Sequence, residues 1–258
     1  MFFIKNKKHS LGTIIVLLLV LAPLTSVSAK KNWSVSSVFS YSTGTYIYDD
    51  SRVDNYTLYL GGRYSKEDFS ISMTLPFVIQ RDQLEGQTGT NGSPMTMGND
   101  YTFTSGVSDV YVYTEYKVYP SLYVTGQIKL PTSLNGSLFS TGKFDYGLGL
   151  AFRKMFGTYR VFADAGYLLL GDPDQISYNN PFVYGIGLAK HAPNGRSTVS
   201  FYYQEYSTII NGIDPPRQVS AAYFRALNNT IGISFYGSKG FGESSAEYTL
   251  AIGFNVLI

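Results

Sequence analysis

Tyr56 to Ile79 reads YTLYLGGRYSKEDFSISMTLPFVI. In its first arm Tyr56, Leu58, Leu60 and Tyr64 fall on one face of an extended chain, with Thr57, Tyr59 and Arg63 on the other. In its second arm Phe69, Ile71, Met73, Leu75, Phe77 and Ile79 alternate with Ser70, Ser72 and Thr74. A period of two with one apolar face is a strand, and Ser65-Lys66-Glu67-Asp68 between the arms has turn chemistry, so the stretch is a β-hairpin.

Outward from this hairpin the same pattern recurs. Residues after 30 divide into twelve alternating stretches, from Trp33, Val35, Ser37, Phe39 and Tyr41 at the start to Tyr248, Leu250, Ile252, Phe254, Val256 and Ile258 at the end. The tenth, Gln218 to Leu227, is ambiguous in facing; Arg225 is assigned inward because an arginine in lipid costs about 2–4 kcal/mol at the bilayer midplane. The connectors rotate between two kinds. Asp49 to Asn55, Arg81 to Ser105, Pro131 to Lys143, Gly171 to Asn180, Ser207 to Pro216 and Ser238 to Ala246 are long and polar. Between them lie Ser65–Asp68, Tyr119-Pro120-Ser121, Phe156-Gly157, Asn194-Gly195 and Asn228-Asn229, all short turns. An even-stranded meander with tight turns at one end and long loops at the other is the pattern of a transmembrane antiparallel up-and-down β-barrel of about twelve strands, all-β, with both termini in the periplasm. A β-sandwich has no reason to sort its loops by end.

Composition points the same way. Aromatic residues make up 16% of the chain, 23 of them tyrosine, against 15% charged; a soluble domain carries nearer a quarter charged. Tyrosine at this density suits interfacial girdles, where the ring is buried and the hydroxyl stays wet. Residues 1–29 read as a signal peptide: Lys5, Lys7 and Lys8, then the apolar run Ile14 to Leu21, then Val27-Ser28-Ala29 before cleavage near Ala29. The mature span 30–258 then carries 17 basic residues against 18 acidic, which gives no reason to expect nucleic acid as a partner. There is no cysteine, hence no disulfide and no thiolate metal site. The expected partners are outer-membrane lipid, the barrel-assembly machinery during insertion, and a small-molecule solute. The last strand resembles the assembly signal, with Gly253, Val256 and Ile258 at its spacing, although it ends on Ile258 rather than an aromatic and has Ala251 where a polar residue is common.

Four stretches are similar to an outer-membrane transporter family named for the MetA pathway of phenol degradation. They are Ser72-Met73-Thr74-Leu75-Pro76-Phe77-Val78, Ser105-Gly106-Val107-Ser108-Asp109-Val110, Lys129-Leu130-Pro131-Thr132, and Gly142-Lys143-Phe144-Asp145-Tyr146-Gly147-Leu148-Gly149. Ser108 stands where that pattern often has glycine. The resemblance implies an envelope transport role and leaves the solute open; Asp109 and Asp145 match its motif aspartates.

The chemistry-bearing residues fall inside the expected barrel. Asp109, Lys129 and Asp145 lie near the outer end, and Glu115, Lys117, Arg153 and Arg160 near the periplasmic end; Asp164 is a further lumen candidate. Two readings stand: charged constrictions that select solute, or mixed-sign ion pairs that neutralise one another and fill a narrow barrel, the favoured one. Gly147, Gly149, Ala151, Gly166, Gly185, Gly187 and Ala189 make one inward wall thin, beside Tyr111, Tyr113 and Tyr123. That wall either leaves a passage for a ring-bearing solute or relieves crowding where tyrosines pack. Pro76 removes a ladder donor from the third strand, so a bulge is expected there.

Hydrolytic chemistry needs a base. Of the two histidines His9 falls in the signal and His191 in an expected periplasmic turn, so no catalytic residue, and no enzyme, is indicated. Asp49, Asp50 and Asp54, and Asp172 with Asp174, have no regular calcium-ligand spacing and read as solvated turns. No metal and no cofactor is implied. The sequence thus points to passive passage of small molecules, aromatic or apolar ones, through the barrel. The alternative is a non-conducting structural or surface-interaction barrel acting through its long outer loops.

Overall fold

The computed structural model describes residues 32–46, 49–83, 101–133, 139–173, 177–242 and 244–258. The expected signal peptide lies outside these residues. Thirteen strand segments build a closed antiparallel barrel of twelve staves: β1 (Trp33–Tyr46), β2 (Asp49–Lys66), β3 (Phe69–Gln83), β4 (Tyr101–Val107), β5 (Val110–Tyr119), β6 (Leu122–Leu130), β7 (Asp145–Phe156), β8 (Tyr159–Leu169), β9 (Phe182–His191), β10 (Ser197–Tyr206), β11 (Arg217–Ala226), β12 (Ile231–Phe241) and β13 (Tyr248–Leu257). Each stave pairs with its neighbours in sequence, and β1 pairs with β13 from Ser34↔Leu257 to Thr43↔Tyr248, which removes the free edges. Closure matters because a backbone group in hydrocarbon has no water to bond, so every ladder must be satisfied within the sheet.

Alternation sorts the side chains. Leu148 is 69% exposed and Leu250 63%, both on the outer wall, a placement that is costly in water and natural in lipid. Ringed residues edge this apolar band: Trp33 against Tyr64 (4.9 Å) near the tight turns, and Tyr41 against Tyr56 (5.3 Å) and Tyr167 against Phe182 (4.8 Å) toward the other rim. The tight turns use left-handed backbone where the chain reverses, at Gly157 (φ 60°), Gly195 (φ 69°) and the non-glycine Glu67 (φ 52°).

Several expectations are corrected. Asp49 to Asn55 is strand, not loop: β1 and β2 stay paired out to Tyr46↔Asp49, so only two residues separate them and the rotation of long and short connectors breaks there. Cross-strand bonds stabilise this extension, including Arg81 to Asp54, Tyr41 Oη to Asp54 (3.1 Å) and Arg52 Nε to Thr43 Oγ1 (2.8 Å). Both ends of the Arg81 to Ser105 connector are also strand, with β3 reaching Gln83 and pairing β4 from Tyr101, and β12 runs into the last expected loop as far as Phe241. Polar side chains hid these ends, because strands that rise above the bilayer no longer need an apolar face.

The bulge expected at Pro76 lies on the adjoining stave. Pro76 stays in register with Tyr59, while Thr74 faces Tyr111 and Phe77 faces Val107, so the β4–β5 stave carries one extra residue at Ser108-Asp109. Pro76 has no N–H to donate toward that stave, and its carbonyl instead accepts the Ser108 N–H at 3.0 Å.

Arg225 faces outward, not inward: Ser220, Ala222, Phe224 and Ala226 take the interior positions of β11. At the tight-turn end of its strand an outward arginine meets the interface rather than the midplane, where the cost falls to about 0–1 kcal/mol. Protease added to intact producing cells should cut within 84–100 and spare Asn194-Gly195; cleavage at that turn would invert the barrel.

Candidate functional site

Of the charges predicted to face inward, Asp109, Glu115, Lys117, Lys129, Asp145 and Arg153 do so and are ion-paired, Arg160 and Asp164 face inward as well, and Arg225 is the exception. At the loop end Lys129 (3% exposed side chain) stands between two carboxylates, 2.7 Å from Asp145 and 4.0 Å from Asp109. Asp109, 1% exposed, accepts from the Ser140 hydroxyl at 2.6 Å and from Ser133 N–H at 3.3 Å. Lys129 donates to Thr141 Oγ1 (2.7 Å), and Asp145 accepts Gly171 N–H (2.9 Å). Ser108, where the resembling pattern has glycine, uses its hydroxyl to hold the Phe139 carbonyl at 2.7 Å. This tier therefore ties the β6–β7 and β8–β9 loops to the rim.

Deeper in, Glu115 on β5 and Arg153 on β7 form a bidentate pair at 2.7 and 2.6 Å across the intervening β6, with the guanidinium 4.7 Å above the Tyr123 ring. Forked geometry and ring stacking both favour arginine over lysine here. Tyr113 Oη reaches Glu115 at 3.4 Å, and Asp164 accepts the Tyr202 hydroxyl at 2.6 Å. Lys117 sits apart, 3.6 Å from Asp68 of the β2–β3 turn and partly exposed, so it belongs to the tight-turn rim. Arg160 lies half-buried at the start of β8, its Nε 3.3 Å from Met155 Sδ.

The glycine wall is occupied from within. A Cβ on Gly185 would overlap the Tyr202 ring, one on Gly187 the Phe162 ring, and one on Gly147 both Gln127 and Leu168. At Gly149 the neighbours are Ala165 O and Thr125 Oγ1. Gly185 lies between Asp164 and Gln204 in the ladder, so its missing side chain lets the Tyr202 ring cross β9 and reach Asp164. Phe162 and Tyr202 stack with ring centroids 5.6 Å apart. With Tyr59, Phe224, Tyr236 and the partly buried Tyr111 they form one cluster that packs the barrel waist. Exposures of 4–8% for the buried rings of this cluster mean that water scarcely reaches them.

Tyr202, Phe162, Phe224 and Arg63 were not singled out from sequence. One signal for the aromatics was available: inward rings fall beside inward glycines once strands are in register, the pairing by which an aromatic covers a neighbouring glycine. Below the waist a cavity of about 300 Å³ opens at the tight-turn end, floored by Phe224 and Ala226 and walled by Ser34, Arg63, Thr230 and Asn255.

His191 ends β9, partly buried, its Nδ1 2.9 Å from Thr198 Oγ1, with no carboxylate bonded to it among the described residues. Asp54 is spent on Arg81 and Tyr41; Asp172 accepts Tyr178 N–H (2.8 Å) within its own loop. Asp174 and the side chains of Asp49 and Asp50 lie outside the described residues.

An apolar outer wall edged by rings, a closed twelve-stave sheet and a polar and aromatic interior define a transmembrane β-barrel. Solved structures share this fold at low identity. An outer membrane channel from Pseudomonas putida F1 matches with a TM-score of 0.70 at 13% identity, covering 91% of this chain and 98% of that one. The translocator domain of the autotransporter NalP from Neisseria meningitidis gives 0.55 at 11% identity (94% and 96% covered), and the CymD monoaromatic hydrocarbon channel 0.53 at 10% (93% and 92%). No protein-family model matches the chain and no curated protein does, so the resemblance to the phenol-pathway family is carried by its four motifs alone.

Proposed function

We propose that this protein is a passive outer-membrane channel for small aromatic or apolar molecules, exported by its N-terminal signal and inserted by the barrel-assembly machinery. The observation that carries this is the interior cluster of rings, Tyr59, Tyr111, Phe162, Tyr202, Phe224 and Tyr236, packed across the barrel, while the inward charges beside it are largely paired. A charged constriction suits ions and acids. An aromatic one offers stacking and edge-to-face partners to another ring. Asp109, Glu115, Lys129, Asp145, Arg153 and Asp164 then brace the wall and loops, while Tyr111, Tyr113 and Tyr123 with the glycine-backed face line the solute path. The similarity to a monoaromatic hydrocarbon channel supports the same solute class.

One observation favours the second reading, a barrel that does not conduct. The waist rings are packed, so passage requires them to move, and a loop-acting surface protein would need no passage at all. Planar-bilayer recording separates the two. The channel reading expects small, brief steps that a single-ring aromatic solute reduces; a folded protein that never conducts leaves the structural barrel.

A further inference from the structure

Outward-facing charge is distributed unevenly around the tight-turn rim. From β7 to β12 the outward positions carry Lys154, Lys190 and Arg225 near that end, all exposed. The sole acidic residue on the outward face of these strands is Glu205, at the opposite end. The turns between them, 157–158, 192–196 and 227–230, add Arg196 and no acid. On the other side of the barrel the same rim is balanced, with Glu67 and Asp68 beside Lys66 and Lys117.

The three strand cations also lie at one depth. Ladder rows climb toward the loop end with increasing strand number: the row through Phe152, near a tight turn, passes Ala163, Ile186, Tyr203 and Val219 to reach Lys239 near the loops. The row through Lys154 reaches Leu188 on β9, and Lys190 is two residues nearer the turns. The row through Lys190 reaches Tyr223 on β11, and Arg225 is again two residues nearer. Each two-stave step is offset by two residues, which cancels the climb of the rows in a tilted barrel. The result is a level arc of cations about 12 Å apart on alternate staves. Lys154 lies 5.4 Å over the Phe156 ring and Lys190 5.4 Å over Tyr159, so both project from the aromatic girdle, where lipid headgroups sit.

We propose that Lys154, Lys190 and Arg225 form a binding arc for anionic glycerophospholipid headgroups of the periplasmic leaflet. Charge complementarity selects a headgroup of net negative charge, and the girdle depth selects lipid over an acidic protein, which would meet the turns rather than the membrane-facing staves. The arc belongs to the wall and does not depend on whether the lumen conducts.

The test uses the full folded chain in phosphatidylcholine vesicles with spin-labelled phosphatidylglycerol or phosphatidylcholine as probe. The immobilised fraction should favour phosphatidylglycerol at least about threefold, an order set by surface attraction of basic residues. That preference should vanish in 1 M salt and in the Lys154→Gln/Lys190→Gln/Arg225→Gln variant. Lys239→Gln, at the loop-end rim, should retain most of it. No preference in the parent, or an unchanged preference in the triple variant, overturns the proposal. Should the triple variant fail to show the heat-modifiable gel shift of a folded barrel, the three single variants carry the test. Each is then expected to lose about a third of the preference, and no loss in any of them overturns it.

Discussion

On the channel reading, Phe162→Ala/Tyr202→Ala should raise the conductance of the folded barrel at least about tenfold. These two rings stack over Gly187 and Gly185 at the centre of the waist, and the glycines beneath offer nothing to replace them. Removing a buried aromatic costs about 3–5 kcal/mol through lost transfer energy and the cavity left behind. Tyr202 also takes with it the hydroxyl that Asp164 accepts. The double variant should therefore melt earlier yet still show the gel shift of a folded barrel, because the outward pattern and the ladders are untouched. A folded double variant with parental conductance would place the closure elsewhere. Gly185→Trp is a poor test of the same idea: the site is already filled by Tyr202, so the indole would disturb folding before it blocked anything.

The second large effect lies at the loop end. Lys129→Met leaves the buried Asp109 and the partly buried Asp145 without their cation, and removing one partner of a buried ion pair costs about 3–5 kcal/mol. The β6–β7 loop, held by Ser140 on Asp109 and Thr141 on Lys129, should be released and cut faster by added protease. Lys117→Met is the control. Its pair with Asp68 is partly exposed at 3.6 Å, and such pairs are worth about 0–1 kcal/mol, so stability and cleavage should barely move. Equal loop cleavage in both variants would show that the tier does not hold the loop.

Much of this was legible in the sequence, for a physical reason. Membrane strands must put apolar residues on every second position, so Phe69 to Ile79 and Tyr248 to Val256 declare their facing without help from neighbours. The pattern fails where the membrane no longer enforces it. Asp54 and Arg81 mark strand above the bilayer, where hydrogen bonds between polar side chains stabilise the pairing and alternation disappears. Arg225 was misplaced because the penalty for arginine in lipid was applied without its depth, which only the tilt of the staves reveals.

The interior was less readable. That Glu115 and Arg153 both point inward follows from parity, but their meeting across β6 requires the register of three strands. The glycine wall shows the same limit. Parity finds Gly185 on the inner face, yet whether that leaves a passage or a seat depends on Tyr202, two staves from Asp164 and invisible until the ladder is drawn.

If single-ring aromatic solutes pass through this barrel, uptake by intact cells must show it, because there the lipopolysaccharide leaflet, not bare phospholipid, is the barrier. Cells producing the parent should accumulate a radiolabelled single-ring hydrocarbon faster than cells with an empty vector, and cells with Phe162→Ala/Tyr202→Ala faster still. Equal rates in all three, with the barrel folded in the outer membrane, would mean that such solutes do not pass through it.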